Sequence, residues 1–123
     1  MKKRIHQIEL FMKYPHEVQD EVLKKLLSTA RFTEFGQHYA FEDIVNYEDF
    51  RKRIPVHTYE QTFPYIERLM RGEQNVLWPS EIKWFAKSSG TTNARSKFIP
   101  VSPEALEECH MKGGKDLLSI YVN

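Results

Sequence analysis

Apolar residues follow a helical period through the first half of the chain, change to short continuous runs, and then become helical again. Between Pro15 and Thr29 they are Val18, Val22, Leu23, Leu26 and Leu27. The i, i+4, i+5, i+8, i+9 spacing puts them on one face of an α-helix, with Gln19, Asp20, Glu21, Lys24 and Lys25 opposite. Pro15 suits the first helical position, where an N–H has no intrahelical partner anyway. Ile5, Ile8, Phe11 and Met12 predict an earlier helix over residues 3–13. We read the stripe on the second helix as core packing, with partner docking as the alternative.

Local signals mark the elements that follow. Gly36, after Thr33-Glu34-Phe35, reads as a turn, and residues 37–45 read as irregular with Tyr39 and Phe41 as anchors. Asn46 predicts an N-cap for a short helix over Tyr47–Arg53, with Arg51-Lys52-Arg53 on a solvated face. Pro55 holds Ile54 extended. Thr58 and Gln61 match a capping box, predicting a helix from Tyr59 to Arg71. Pro64 predicts a kink or restart inside it, and Gly72 closes it. Asn75-Val76-Leu77-Trp78 reads as extended up to Pro79.

The period then changes. Ile82–Ala86 and Phe98–Val101 are short apolar runs on either side of Lys87-Ser88-Ser89-Gly90-Thr91-Thr92-Asn93-Ala94-Arg95-Ser96-Lys97. This reads as strand, loop, strand. Ser102-Pro103-Glu104 combines a cap, a first-turn proline and a first-turn acid, so a helix starts there and runs through Cys109 toward Leu118. Gly113 and Gly114 each weaken that helix by about 1 kcal/mol relative to alanine. The fold class is therefore α/β: helical over residues 1–72, strand–loop–strand over 75–101, and helix over 103–118. Partners for the strands are expected outside residues 1–123.

Composition narrows the classes. A chain of 123 residues supports one modest domain. A net charge of +1 gives no strong pull toward nucleic acid or an acidic membrane. The aromatic residues do not alternate with a basic stripe, which argues against a single-strand nucleic-acid groove. No run of about 18 apolar residues spans a bilayer, and the basic Met1-Lys2-Lys3-Arg4 lacks the apolar stretch of a signal peptide. Cys109 is the sole cysteine, so no internal disulfide forms and a cytoplasmic location is expected. Cys109 is read as a buried thiol and His110 as a surface imidazole. The five histidines show no zinc spacing. Ser80-Glu81-Ile82-Lys83 matches S-x-x-K but lacks both companion motifs of serine acyl enzymes, and is taken as chance. Of Trp78, Trp84 and Phe85, at least two are expected in the core, with a pocket wall as the other use.

The loop carries the chemistry. Gly90 lets backbone approach a ligand closely, and successive N–H groups in such a turn make a concave anion site. Ser88, Ser89, Thr91 and Thr92 add hydroxyls, and Arg95 and Lys97 add positive charge. A polyphosphate suits that donor set. The loop is no Walker A motif, because no G-K-[ST] runs into a helix, and no G-x-S-x-G nucleophile elbow occurs. A polar hairpin loop without a ligand is the alternative.

Ser88-Ser89-Gly90-Thr91-Thr92, ending in Lys97, resembles the phosphate-binding signature of the adenylate-forming superfamily. Ile54-Pro55-Val56-His57-Thr58-Tyr59-Glu60 and the stretch Pro64–Pro79 narrow the resemblance to the auxin-responsive acyl-acid amido synthetases of plants and their bacterial relatives. It covers the chain from about residue 10 onward. One departure is Asn93-Ala94, where the family loop often has a second glycine. The resemblance implies an N-terminal portion of a large adenylate-forming domain and a reaction using ATP and Mg2+. A carboxylic acid would be adenylated and then joined to an amino acid through an amide. It also implies that Ser88, Ser89, Gly90, Thr91, Thr92, Arg95 and Lys97 bind the nucleotide phosphates. No catalytic residue or metal ligand is assigned by it. Members of the family are several times longer, and the apolar run Leu118–Val122 carries no terminating signal. Residues 1–123 are therefore read as an N-terminal piece, with the remaining polypeptide beyond Asn123. The competing class is a non-catalytic helical interaction or anion-binding module.

Overall fold

The structure is a computed structural model that describes residues 2–90 and 95–122. Helices α1 (Lys2–Lys13) and α2 (Pro15–Ala30) open the chain. They are followed by α3 (Glu34–His38), a 3-10 turn over Phe41–Asp43, α4 (Tyr47–Arg53) and α5 (Tyr59–Met70). Strands β1 (Trp84–Lys87) and β2 (Phe98–Val101) come next, then α6 (Pro103–Ala105), a π turn over Leu106–Met111, and α7 (Lys112–Val122). The architecture is helix-rich α/β with one small antiparallel sheet.

The caps act where the sequence places them. The Asn46 side chain accepts from the Asp49 N–H at 3.0 Å. Thr58 and Gln61 form both halves of the capping box, at 3.2 and 2.8 Å. Ser102 accepts from the Ala105 N–H at 3.0 Å. Gly72, at φ +90°, ends α5: its N–H reaches the Leu69 carbonyl and the Glu73 N–H reaches that of Arg68. That is the paired bonding of a Schellman motif. One helix runs through Pro64 without a restart, with the proline ring exposed.

The core centres on Leu69, Val76 and Ile82, with Tyr65, Leu77, Trp78 and Phe85 packed against it. Trp78 and Phe85 thus take core roles, whereas Trp84 is 71% exposed. An aromatic group joins α3 to α5, where the Phe35 ring lies 5.4 Å edge-on to Tyr65 and 4.8 Å from Tyr39. The start of α3 is held by distant backbone: the Glu34 and Phe35 N–H groups donate to the carbonyls of Asn75 and Val76, both at 3.0 Å. Arg68 fastens the same region through a bidentate pair with Glu34 and a bond to Glu73. At the other end, Arg4 on α1 pairs with Asp116 on α7.

Several expectations are corrected. Gly36 is no turn residue. It lies buried inside α3, and a Cβ there would meet the Ala30 carbonyl oxygen at 2.1 Å. Asn75–Trp78 is bent rather than extended, because Asn75 takes φ +58° and so aims its own and the Val76 carbonyl at α3. On α2, Leu27 is buried and Leu23 half-buried, but Val22 and Leu26 are about half exposed. Cys109 is exposed, as is every residue of the π turn it lies in. Beyond these corrections, β1 and β2 pair with each other, each along one of its edges. On α7, Leu117, Leu118, Ile120, Tyr121 and Val122 are exposed.

Candidate functional site

In sequence, the Ser/Gly/Thr segment lies between the two strands of the hairpin. Trp84 pairs with Val101, Phe85 with Pro100, Ala86 with Ile99 and Lys87 with Phe98. One further step closes the base of the loop. The Ser88 N–H donates to the Lys97 carbonyl at 2.9 Å, and the Lys97 N–H donates to Ser88 Oγ at 3.0 Å. Ser88 therefore uses its hydroxyl as a strut and is half-buried. Ser89, Gly90, Arg95 and Lys97 are exposed around the loop's mouth. Thr91 and Thr92 lie outside the described residues. The structure thus brings Ser88, Ser89, Gly90, Arg95 and Lys97 to one end of the hairpin.

Tyr59 is a contributor that sequence reasoning missed. It is the first residue of α5, directly after the capping threonine. Its hydroxyl accepts from the Phe98 N–H at 2.8 Å and donates to the Phe98 carbonyl at 3.2 Å. Its ring lies under the Lys97 ammonium, 5.2 Å from nitrogen to centroid. The family-like Thr58-Tyr59-Glu60 stretch was the available signal, but nothing local connects it to a strand 39 residues away.

A second anchor lies behind the hairpin. Glu104 accepts from Ser80 Oγ and, at 3.1 Å, from Trp78 Nε1. These bonds, the one from Ser80 foremost, hold the Glu104 carboxyl below its ordinary value. They fix the linker ahead of β1 to the start of α6. Ser80 is thereby a structural donor, and Lys83 pairs with Glu81 at 3.2 Å, so S-x-x-K has no catalytic geometry. An open apolar groove runs beside the sheet, lined by residues including Trp84, Phe85, Val101, Leu106 and His110.

Ser88, Ser89 and Gly90 on the entry side and the exposed cations Arg95 and Lys97 on the exit side flank the loop. Among the described residues, no three His, Cys, Asp or Glu side chains are grouped to hold a metal ion. Among the same residues, no helix is long and apolar enough to cross a membrane.

The fold, helix-rich with a small antiparallel sheet, matches the N-terminal part of a solved acyl acid amido synthetase. The profile of the GH3 family N-terminal domain matches residues 4–123, and the chain belongs to that family. It is 31% identical over 106 residues to jasmonoyl–L-amino acid synthetase JAR6 of Nicotiana attenuata, covering 85% of this chain and 18% of that protein. Against indole-3-acetic acid-amido synthetase GH3.2 of Arabidopsis thaliana it is 31% identical over 106 residues, covering 85% of this chain and 19% of the relative. The solved structure of GH3.15 acyl acid amido synthetase superposes with a TM-score of 0.74 at 32% identity, over 84% of this chain and 19% of that one. The chain spans about a fifth of the length of the curated relatives it matches.

Proposed function

We propose that the intact protein is an ATP-dependent acyl-acid amido synthetase and that residues 1–123 supply its phosphate-binding loop. A carboxylate oxygen attacks the α-phosphorus of ATP, and pyrophosphate leaves. The amine of an amino acid then attacks the acyl carbon, an amide forms, and AMP leaves. The loop holds the β- and γ-phosphates during the first step, by position and charge rather than by proton transfer. Ser88, Ser89, Thr91 and Thr92 act as hydroxyl or backbone donors, Gly90 as the backbone pivot, and Lys97 and Arg95 as the positive charges. Magnesium enters with the nucleotide, as its counter-ion. The apolar groove beside Trp84 and Leu106 suits the hydrocarbon body of the acid. The adenine site and the amine site belong, in this reading, to polypeptide beyond Asn123, in the cytoplasm.

One observation carries the proposal. A loop of this composition stands at the end of a hairpin with Arg95 and Lys97 both exposed at its mouth, in a chain of this family. The test is exchange of labelled pyrophosphate into ATP by the intact protein across a panel of carboxylic acids. Acid-dependent exchange is expected. Combining Lys97→Ala with Thr91→Val should lower it at least about tenfold, equivalent to about 1.4 kcal/mol of transition-state stabilisation. Undiminished exchange in that double variant removes the loop from the mechanism.

A further inference from the structure

We propose that Tyr59 is a positioning residue for the phosphate loop, setting both the exit strand and the direction of the Lys97 ammonium. The inference rests on the reading of the loop as a phosphate site.

The sheet register supplies the first argument. Ser88 and Lys97 face each other across the hairpin as a hydrogen-bonded pair. Lys87 and Phe98, one step on, therefore form a non-hydrogen-bonded pair. The Phe98 N–H and carbonyl then point away from β1, toward the outer edge of β2. Tyr59 occupies that edge. A hydroxyl has one donor and two acceptor sites, and this one engages both outward groups of Phe98 at 2.8 and 3.2 Å. A single side chain thus replaces the neighbouring strand at the residue after Lys97.

The ring supplies the second argument. At 5.2 Å its face lies within range of a cation–π contact with the Lys97 ammonium. An aryl face orients a cation without cancelling its charge, whereas a carboxylate partner would neutralise it. That suits a lysine whose task is to meet phosphate. The Lys97 backbone is meanwhile fixed by Ser88 on its other side. Main chain and side chain of one residue are therefore held by two elements.

The third argument concerns what holds Tyr59. It sits at the first position of α5, behind a complete capping box. Phe63, one turn on, packs against its ring at a centroid distance of 5.8 Å. The start of α5 thus acts as a rigid mount that reaches the loop through one phenol.

The experiment uses the intact protein and pyrophosphate exchange, with kcat and KM for ATP and for the acid measured separately. Tyr59→Phe keeps the ring and removes the hydroxyl. Tyr59→Leu removes both. The first should lose at least about fivefold in kcat/KM for ATP, the scale of the two hydrogen bonds that leave with the hydroxyl, with KM for the acid unchanged. The second should lose a further factor of about three or more. In a Lys97→Ala background, Tyr59→Leu should lose markedly less than it does alone, because the cation it orients is gone. Wild-type kinetics in Tyr59→Leu overturn the proposal. So does a loss of the same factor with and without Lys97, which is the signature of a general structural role. Tyr59→Phe, the mildest change, covers the case in which Tyr59→Leu fails to fold. If Lys97→Ala with Thr91→Val leaves exchange intact, the loop reading falls and this inference falls with it. If that pair abolishes exchange while both Tyr59 variants are fully active, this inference falls alone.

Discussion

Replacing Gly36 with alanine adds one methyl group at a place where the backbone of another segment already sits. The new Cβ would lie 2.1 Å from the Ala30 carbonyl oxygen and 2.9 Å from its carbon. That carbonyl accepts the Thr33 N–H at 3.0 Å and the Thr33 hydroxyl at 2.7 Å. Thr33 is itself 1% exposed, and its oxygen caps α3 by accepting from the Gly36 N–H at 3.0 Å. Restoring ordinary contact needs a retreat of about 1.3 Å or more, which strains both bonds to the carbonyl. Overpacking of this kind costs about 1–3 kcal/mol, and each weakened bond adds about 1 kcal/mol. We expect a loss of about 3 kcal/mol. With a urea slope of about 2 kcal/mol per molar, the midpoint falls by roughly 1.5 M. The assay is urea unfolding followed by far-UV circular dichroism. Gly114→Ala is the matched control: a Cβ there meets nothing within 4 Å, so the same methyl should raise stability, by about 1 kcal/mol. A Gly36→Ala midpoint equal to that of the wild type, at an unchanged slope, would refute the argument.

Two further outcomes can be checked on the same protein. Thr58→Ala removes the acceptor of the α5 capping box and should lower stability by about 1 kcal/mol in the same urea assay, with Thr58→Ser restoring most of it. The Glu104 carboxyl is held below its ordinary value, first by Ser80 and then by its other donors including Trp78. Its stabilising effect is therefore complete above the ordinary carboxylate pKa of about 4.3 and fades as pH falls through the lower folded value. Acid titration followed by tryptophan fluorescence should show a step below about pH 4 that Glu104→Gln removes, and persistence of that step in the variant would assign it elsewhere.

The features legible in the sequence are those that depend on few residues. Asn46, Thr58 and Ser102 cap helices because a cap is settled within three residues, and β2 occupies the predicted Phe98–Val101. Gly72 follows the same rule. The misreadings involve distant groups. Gly36 looked like a turn because the carbonyl that forbids a side chain comes from the end of α2. Asn75 looked extended because its left-handed turn serves α3, some 40 residues earlier. Cys109 carries no local signal of its exposure, because nothing in Leu106–Met111 shows that the helix leaves this whole turn facing solvent. At the candidate site the donor types were legible from composition. The phenol that braces them was not, because its partner in β2 is remote in sequence.

The bonds that hold the start of α3 also impose an order of events during synthesis. A helix of five residues is too short to persist alone. Its first two N–H groups, those of Glu34 and Phe35, find their acceptors on Asn75 and Val76. At about 5–20 residues per second, those acceptors are made several seconds after Glu34. Until they leave the ribosome, the junction between α2 and α3 has no template, and Phe35 and the end of α2 stay open to chaperones or to neighbouring nascent chains. The start of α3 therefore cannot take its final backbone hydrogen bonds until Asn75 and Val76 have been made.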